Sequence, residues 1–305
     1  MKIAVVGSYG VGLTMRVPQA PGPGETVAGG TFDEGPGGKG SNQAVGAARL
    51  GAQVSFLTAV GDDAFGQAGR NLWIEEGVDG AHVITGQRPT MVGFIIVEPS
   101  GENRIALAPG ALDELEATHV KDFTAEIAAA DVLVVSMEIP EAAVVEALRI
   151  GREVGTTTLL NPAPARALPA HVWSMIDVIT PNQTEAPVLL GLTADHDRSD
   201  EQLALELQER TGGCVVLTRG GGGSLLCGAD RELHSIPALT VDHVVDTTGA
   251  GDSYTAALAV ALAQGIPLID AAHYAAAAGA HAVTIAGVIP ALPTRNQLPP
   301  LIGNL

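Results

Sequence analysis

The stretch DVLVVSMEIPEAAVVEALRIGREVGTTTLLN, residues 131–161, decides the fold class. It holds two short apolar runs, DVLVVS at 131–136 and TTTLLN at 156–161, separated by an amphipathic segment at 140–154. Continuous β-branched runs of this length suit strands buried on both faces of a parallel sheet. With a helix between them they make a βαβ unit. The rhythm extends in both directions, through IAVV at 3–6 and VSFLTAV at 54–60 on one side, and IDVIT at 176–180 and CVVLT at 214–218 on the other. A further helix is expected at 199–211, with Ser199 and Asp200 as cap candidates. The expectation is one α/β domain over 1–305, a doubly wound and mostly parallel sheet flanked by helices.

Two regions break the rhythm. LTMRV at 13–17, ETVAGGTF at 25–32, TMVGFIIVE at 90–98 and ENRIALA at 102–108 alternate or pair across turn signals such as PSG at 99–101. They are expected to form a small antiparallel sheet over about 13–32 and 90–108, a lid above the carboxyl ends of the main strands. Extra edge strands of the main sheet are the alternative.

Composition narrows the function. The chain of 305 residues is 46% hydrophobic and 16% charged, enough apolar surface to offset its ordering entropy. Sixteen Lys and Arg against 34 Asp and Glu give a net charge of −18, which opposes adhesion to nucleic acid or anionic membrane. Aromatics are 3% of residues, so base-stacking platforms are scarce. Cys214 and Cys227 have neither zinc-ligand spacing nor disulfide-scaffold density and read as reduced, buried thiols of a cytoplasmic protein. MKIAVVG reads as a first strand, being too short for a signal-peptide core. The Ala-rich segment 255–290 reads as buried helices, since no stretch reaches the roughly 18 uninterrupted apolar residues of a membrane span.

The chemistry concentrates in VVDTTGAGDSYTAALAVALAQG, residues 244–265. A strand end passes through a Gly-rich turn into an Ala-rich helix, the arrangement in which backbone amides converge on an anion. Gly249, Ala250 and Gly251 leave room for phosphate oxygens, and Asp252 at the helix start is placed to take a proton from an attacking alcohol. A plain N-cap is the competing reading, weakened by the adjacent GAG and by Asp246. A second Gly-rich segment, EGPGGKGSNQAVGAARLGA at 34–52, also leads into a helix. It is no Walker A loop, because Asp33 stands five residues before Gly38 and Gly40 follows Lys39. The glycines of GSYGVG at 7–12 also miss the dinucleotide spacing.

These motifs together resemble the ribokinase-like (PfkB) carbohydrate kinases, closest to the ribokinase branch. The resemblance runs in order through PGPGET at 21–26, GGKGSNQA at 37–44, GDDAFG at 61–66, SMEIP at 136–140, NPAPAR at 161–166, TPNQTEA at 180–186, TRGGGGS at 218–224 and DTTGAGD at 246–252. It implies an ATP-dependent kinase acting on a primary hydroxyl of a small sugar, with Mg2+ and K+ as cofactors and a lid that pairs two subunits into a homodimer. It implies Asp252 as the base and the amides of Gly249, Ala250, Gly251 and Asp252 as the anion hole. Gly38, Lys39, Asn42 and Glu138 are implied as sugar contacts, and Asn182, Thr218, Gly220 and Gly251 as nucleotide contacts. Glu185 is implied to organise magnesium through water, although an isolated NxxE is usually a turn. Asp246 and Thr248, with the carbonyls of Ala282, Val283, Gly287 and Ala291, are implied to hold the monovalent cation. The four glycines at 220–223 also fit a plain hairpin turn.

The sequence departs from the family in two places. Gly10 and Gly12 stand where the family carries an Asn-x-Asp pair, and Ala276 replaces a polar residue near the adenine. The missing side chains are expected to weaken ribose and to open space at the floor of the cleft, unless Ser8, Tyr9 or Thr14 supplies the lost bonds. A nucleoside kinase of the same superfamily, or a catalytically silent sugar-binding regulator, are the rival functions.

Overall fold

The computed structural model describes residues 1–100 and 103–301. Gly101 and Glu102, which the expected PSG turn and the ENRIALA run include, lie outside the described residues. Nine strands among those described form the central sheet, in the order Leu233–Ile236, Ser224–Cys227, Cys214–Thr218, Val178–Ile179, Thr157–Asn161, Val132–Ser136, Lys2–Val6, Gln53–Leu57 and Val78–Asp79. From Cys214–Thr218 to Val78–Asp79 all neighbours pair in parallel, and the first two strands form an antiparallel edge.

Alternation along the strands divides the core. Ile3, Val5, Val132 and Val134 pack on one face, and Ala4, Val6, Leu133 and Val135 on the other. The first face carries helices Lys39–Arg49, Ala250–Ala263 and Leu268–Ala282, and the second carries Glu141–Val154 and Asp200–Thr211. The Ala-rich segment is therefore a pair of packed core helices. Ser199 caps Asp200–Thr211 in a reciprocal box with Gln202, as the sequence suggested. Cys227 is buried, whereas Cys214 is only partly so, and both are free thiols.

Strand order places the site. From Lys2–Val6 the chain moves outward to Gln53–Leu57 and Val78–Asp79, then returns to add Val132–Ser136 on the opposite side. The reversal leaves a crevice beyond the carboxyl ends of Lys2–Val6 and Val132–Ser136, the switch point at which open α/β sheets bind ligands. Over it stands a separate sheet of four strands, ordered Thr31–Gly37, Gly10–Arg16, Val92–Val97 and Asn103–Ala108.

This small sheet matches the expected insertion, with two refinements. Its outer pairings are antiparallel and its middle one, Gly10–Arg16 with Val92–Val97, is parallel. The strand expected at 25–32 lies further on, at Thr31–Gly37, and runs through Pro36. An edge position tolerates this proline. Val11, opposite Pro36, sends its amide the other way to the Met91 carbonyl (2.9 Å), so the pair needs no N–H from Pro36.

Candidate active site

The crevice begins where the end of the first strand and the start of a helix nearly touch. A side chain on Gly7 would stand 2.7 Å from the Gly40 Cα, so only glycine lets the first strand meet helix Lys39–Arg49 so closely. Ser8 then donates its hydroxyl to Glu138 Oε2 (2.5 Å), which also accepts the Lys39 amide (3.2 Å). Arg166 braces the loop that carries Glu138, donating to the carbonyls of Met137 and Ile139. Two of the expected sugar contacts, Lys39 and Glu138, are thereby brought together.

The expected base, Asp252, is placed by helix packing. A Cβ on Gly46 would lie 2.9 Å from the Ala256 Cβ, so small residues let helices Lys39–Arg49 and Ala250–Ala263 lie side by side. One turn earlier on each helix, Asn42 and Gln43 meet Asp252. Asn42 Nδ2 donates to Asp252 Oδ2 (2.8 Å) and Gln43 Nε2 to Oδ1 (3.0 Å). Asp252 is only 7% exposed. Burial pushes its carboxyl above the usual carboxylate range, while Lys39 and the two amides pull the other way. Burial alone would lower the Lys39 ammonium, but the charges of Asp252, Glu138 and Glu185 outweigh it and hold Lys39 raised. Asp252 does not act as an N-cap: Gly249 holds that position in the left-handed region at φ 79° with no side-chain cap bond.

The side expected to take the nucleotide is more open. A side chain on Gly251, Gly220 or Gly221 would meet nothing within 4 Å, leaving room above the helix start and the hairpin. Of the expected anion-hole amides, that of Ala250 already closes on the Thr247 carbonyl (3.3 Å). The amides of Gly251 and Asp252 belong to the first turn, which leaves its donors without intrahelical partners. The four glycines do form a hairpin turn, with Thr218 opposite Ser224. Its position beyond strand Cys214–Thr218 also sets Thr218 beside Asn182 in an isolated parallel bridge.

Asn182 Oδ1 accepts from the amides of Thr184 (2.9 Å) and Glu185 (2.8 Å), and Glu185 Oε2 accepts the Asn182 amide (2.9 Å). This is the local turn that an isolated NxxE segment usually forms. Glu185 nonetheless sits where burial raises its carboxyl, opposed by the Asn182 amide and Lys39 and helped by Asp252. Three carboxylates thus act electrostatically on one ammonium, but among the described residues no three acidic, His or Cys side chains cluster closely enough to hold a metal ion by themselves.

Beside the anion-binding turn, Asp246 accepts the amides of Thr248 (2.9 Å) and Gly287 (3.1 Å). Burial would raise its carboxyl, but these bonds together hold it below the ordinary value. Asp246, Thr248 and Gly287 are therefore neighbours. The Val283 carbonyl, another of the expected cation ligands, accepts the amides of Val245 (2.7 Å) and Asp246 (3.3 Å).

Comparison with known proteins agrees with this geometry. The model of the pfkB family of carbohydrate kinases matches residues 1–295. The chain belongs to that family. The ribokinase of Haemophilus influenzae is 36% identical over 296 residues, 97% of this chain and 96% of its own. The deoxyribokinase of Salmonella typhi is 35% identical over 259 residues, 83% of each chain. The ribokinase of Arabidopsis thaliana, solved with ribose and ATP, superposes with a TM-score of 0.90 at 27% identity, covering 97% of this chain and 96% of that one. The protein is accordingly a carbohydrate kinase, a phosphotransferase with an alcohol as acceptor.

At the glycine pair, the structure corrects part of the expectation for this kinase. Gly10 opens no space: a Cβ there would lie 2.6 Å from Met91 Cε and 2.7 Å from the Met91 carbonyl oxygen. Gly12 is roomier, its nearest neighbour being Ile95 Cδ1 at 3.6 Å. Ser8 is committed to Glu138, and Tyr9 turns into the core, donating to the Phe65 carbonyl (3.0 Å). Neither replaces the missing polar pair. Sequence reasoning passed over Gln43, Asn161 and Arg166, all inside quoted motifs but with no local signal of their role. Only the fold brings Gln43 to Asp252, 209 residues away.

Proposed function

We propose that this kinase is of the ribokinase type, moving the γ-phosphoryl group of ATP to the primary hydroxyl of a small sugar. The observation that carries the reading is the buried Asp252 carboxylate, held between Asn42 and Gln43 where the Gly-rich turn enters its helix. Asp252 accepts the hydroxyl proton as the new O–P bond forms and the bond from the γ-phosphorus to the β–γ bridging oxygen breaks. The amides of Gly251 and Asp252, with Lys39, take up charge on the transferring group.

In this reading Gly38, Lys39, Asn42 and Glu138 hold the sugar, while Asn182, Thr218, Gly220 and Gly251 line the nucleotide. Glu185 would hold Mg2+ through water, the ion screening the phosphate charge when bound. Asp246, Thr248 and the carbonyls of Ala282, Val283, Gly287 and Ala291 would hold K+, fixing the dipoles of the turn. The small sheet closes over the sugar and excludes water. Its exposed Met15, Phe32, Phe94, Ile105 and Leu107 support pairing of two copies through this sheet, and sedimentation at micromolar concentration should give a dimer. Among the described residues no helix is long and apolar enough to cross a membrane, and a cytoplasmic location is part of the proposal.

The test is ADP release from ATP across ribose, 2-deoxyribose, ketohexoses and nucleosides. Sugar-dependent release supports the reading. Release with nucleosides alone would make the protein a nucleoside kinase, and sugar binding without turnover would make it a silent regulator.

A further inference from the structure

Gln43 has a buried amide with a second contact, to Asn161, that the mechanism above does not use. Its side chain is 1% exposed, and Nε2 donates both to Asp252 Oδ1 (3.0 Å) and to Asn161 Oδ1 (3.2 Å). Asn161 sits at the end of strand Thr157–Asn161, and its Nδ2 lies 3.4 Å from the carbonyl and 3.4 Å from the hydroxyl oxygen of Thr180 on the adjacent chain segment. A line of amides therefore runs from the carboxyl ends of two neighbouring central strands, through Gln43, to one oxygen of the base.

The orientation of the Gln43 amide is forced. Both Nε2 hydrogens point at acceptors, and turning the amide over would set Oε1 against Asp252 Oδ1 and Asn161 Oδ1, two oxygens with no proton to give. The fold accepts an unfavourable consequence of this, since Gln43 Oε1 is buried without a hydrogen-bond partner among the described residues. A side chain chosen only to fill space between helices would not need two directed hydrogens and a stranded oxygen. Asn42 holds the other carboxylate oxygen, Oδ2, so the two amides together fix the carboxylate plane.

We propose that Gln43 is a positioning residue for phosphoryl transfer, anchoring Oδ1 of Asp252 to the central sheet through Asn161 so that the carboxylate meets the sugar hydroxyl in one orientation. This deepens the assignment of Asp252 as base and rests on it. The bond also favours the ionised carboxylate, opposing the effect of burial.

The test compares Gln43→Leu and Gln43→Met with wild type in steady-state kinetics on the best sugar, with pH profiles. The expected result is a fall in kcat of about 10- to 100-fold, the upper part of what loss of a preorganised contact gives, with KM for sugar and ATP nearly unchanged. The acid limb of the kcat profile should move to higher pH. Asn161→Ala, which releases the far end of the line, should shift the same limb by less. In an Asp252→Asn background Gln43→Leu should lower kcat no further, because the carboxylate it positions is gone. Wild-type kcat with an unmoved limb in folded Gln43→Leu, or a full additional loss in the Asp252→Asn background, would overturn the proposal; if Gln43→Leu does not fold, Asn161→Ala and Gln43→Met decide by the same limb. An Asp252→Asn variant with normal turnover would instead overturn the base assignment and leave the Gln43 contact without a catalytic purpose.

Discussion

The two walls of the crevice are built on opposite terms. Around Asp252, directed bonds reach both carboxylate oxygens, and Asn42 and Gln43 are 4% and 1% exposed. Across the crevice the small sheet is largely glycine and apolar side chains, with Phe94 and Ile105 58% and 62% exposed. In the proposed reading the first wall presents a group at one angle to a reacting atom, which requires a preorganised and water-poor setting. The second wall, in the same reading, lets the sugar enter and then covers it, as a small separate sheet can. Rate should therefore respond to one wall and sugar preference to the other.

The largest effect expected is at the base. Asp252→Asn should lower kcat by about two to four orders of magnitude while leaving sugar binding, measured by calorimetry, little changed. Because the folded carboxyl is raised, its contribution to stability is present below the unfolded value near 3.9 and is lost as pH rises through the folded value. Asp252→Asn should remove this pH-dependent component of the melting temperature while costing stability at every pH, since its Nδ2 must face one of the two amide donors of Asn42 and Gln43. A melting temperature whose pH dependence is the same in both proteins would contradict the raised carboxyl.

Lys39 gives the next test. Its ammonium is among the influences that pull the Asp252 carboxyl down against burial. Lys39→Met should thus move the acid limb of kcat/KM to higher pH, in addition to weakening turnover at every pH. An unmoved limb would separate Lys39 from the base.

Substitutions on the small sheet should re-rank sugars instead of abolishing turnover. Gly12→Asp has room, and a restored hydrogen bond to a buried hydroxyl should improve kcat/KM for ribose by about 5- to 100-fold relative to 2-deoxyribose. Gly10→Asn meets Met91 and should cost about 1–3 kcal/mol of stability, read by denaturation, without a comparable gain. Equal changes for every sugar would erase the proposed division between the walls. The smallest effect expected is that of the medium, a several-fold higher rate in potassium than in sodium or a large organic cation at saturating Mg-ATP, with equal rates removing Asp246 and Thr248 from a cation site.

Much of the architecture was legible because local pattern and fold coincide. Buried parallel strands need continuous apolar runs, so 131–136, 156–161 and 214–218 announce themselves. The edge strand Thr31–Gly37 did not, because Gly35, Pro36 and Gly37 read as a turn and only their place at a sheet edge makes them strand. At the site, Asp252 stood out by its Gly-rich company and Lys39 through the family resemblance of its motif. Gln43 and Met91 were silent because their contacts join segments far apart in the chain, and a local pattern carries no record of such meetings.

The most direct measurement of the central claim is the position of the phosphate in the product made from ATP and the best sugar of the panel. Phosphorus-coupled carbon NMR should show the phosphate on the exocyclic CH2 carbon, with one ADP formed per phosphorylated sugar. Phosphate on a ring hydroxyl, or ADP released without a phosphorylated sugar, would contradict the account.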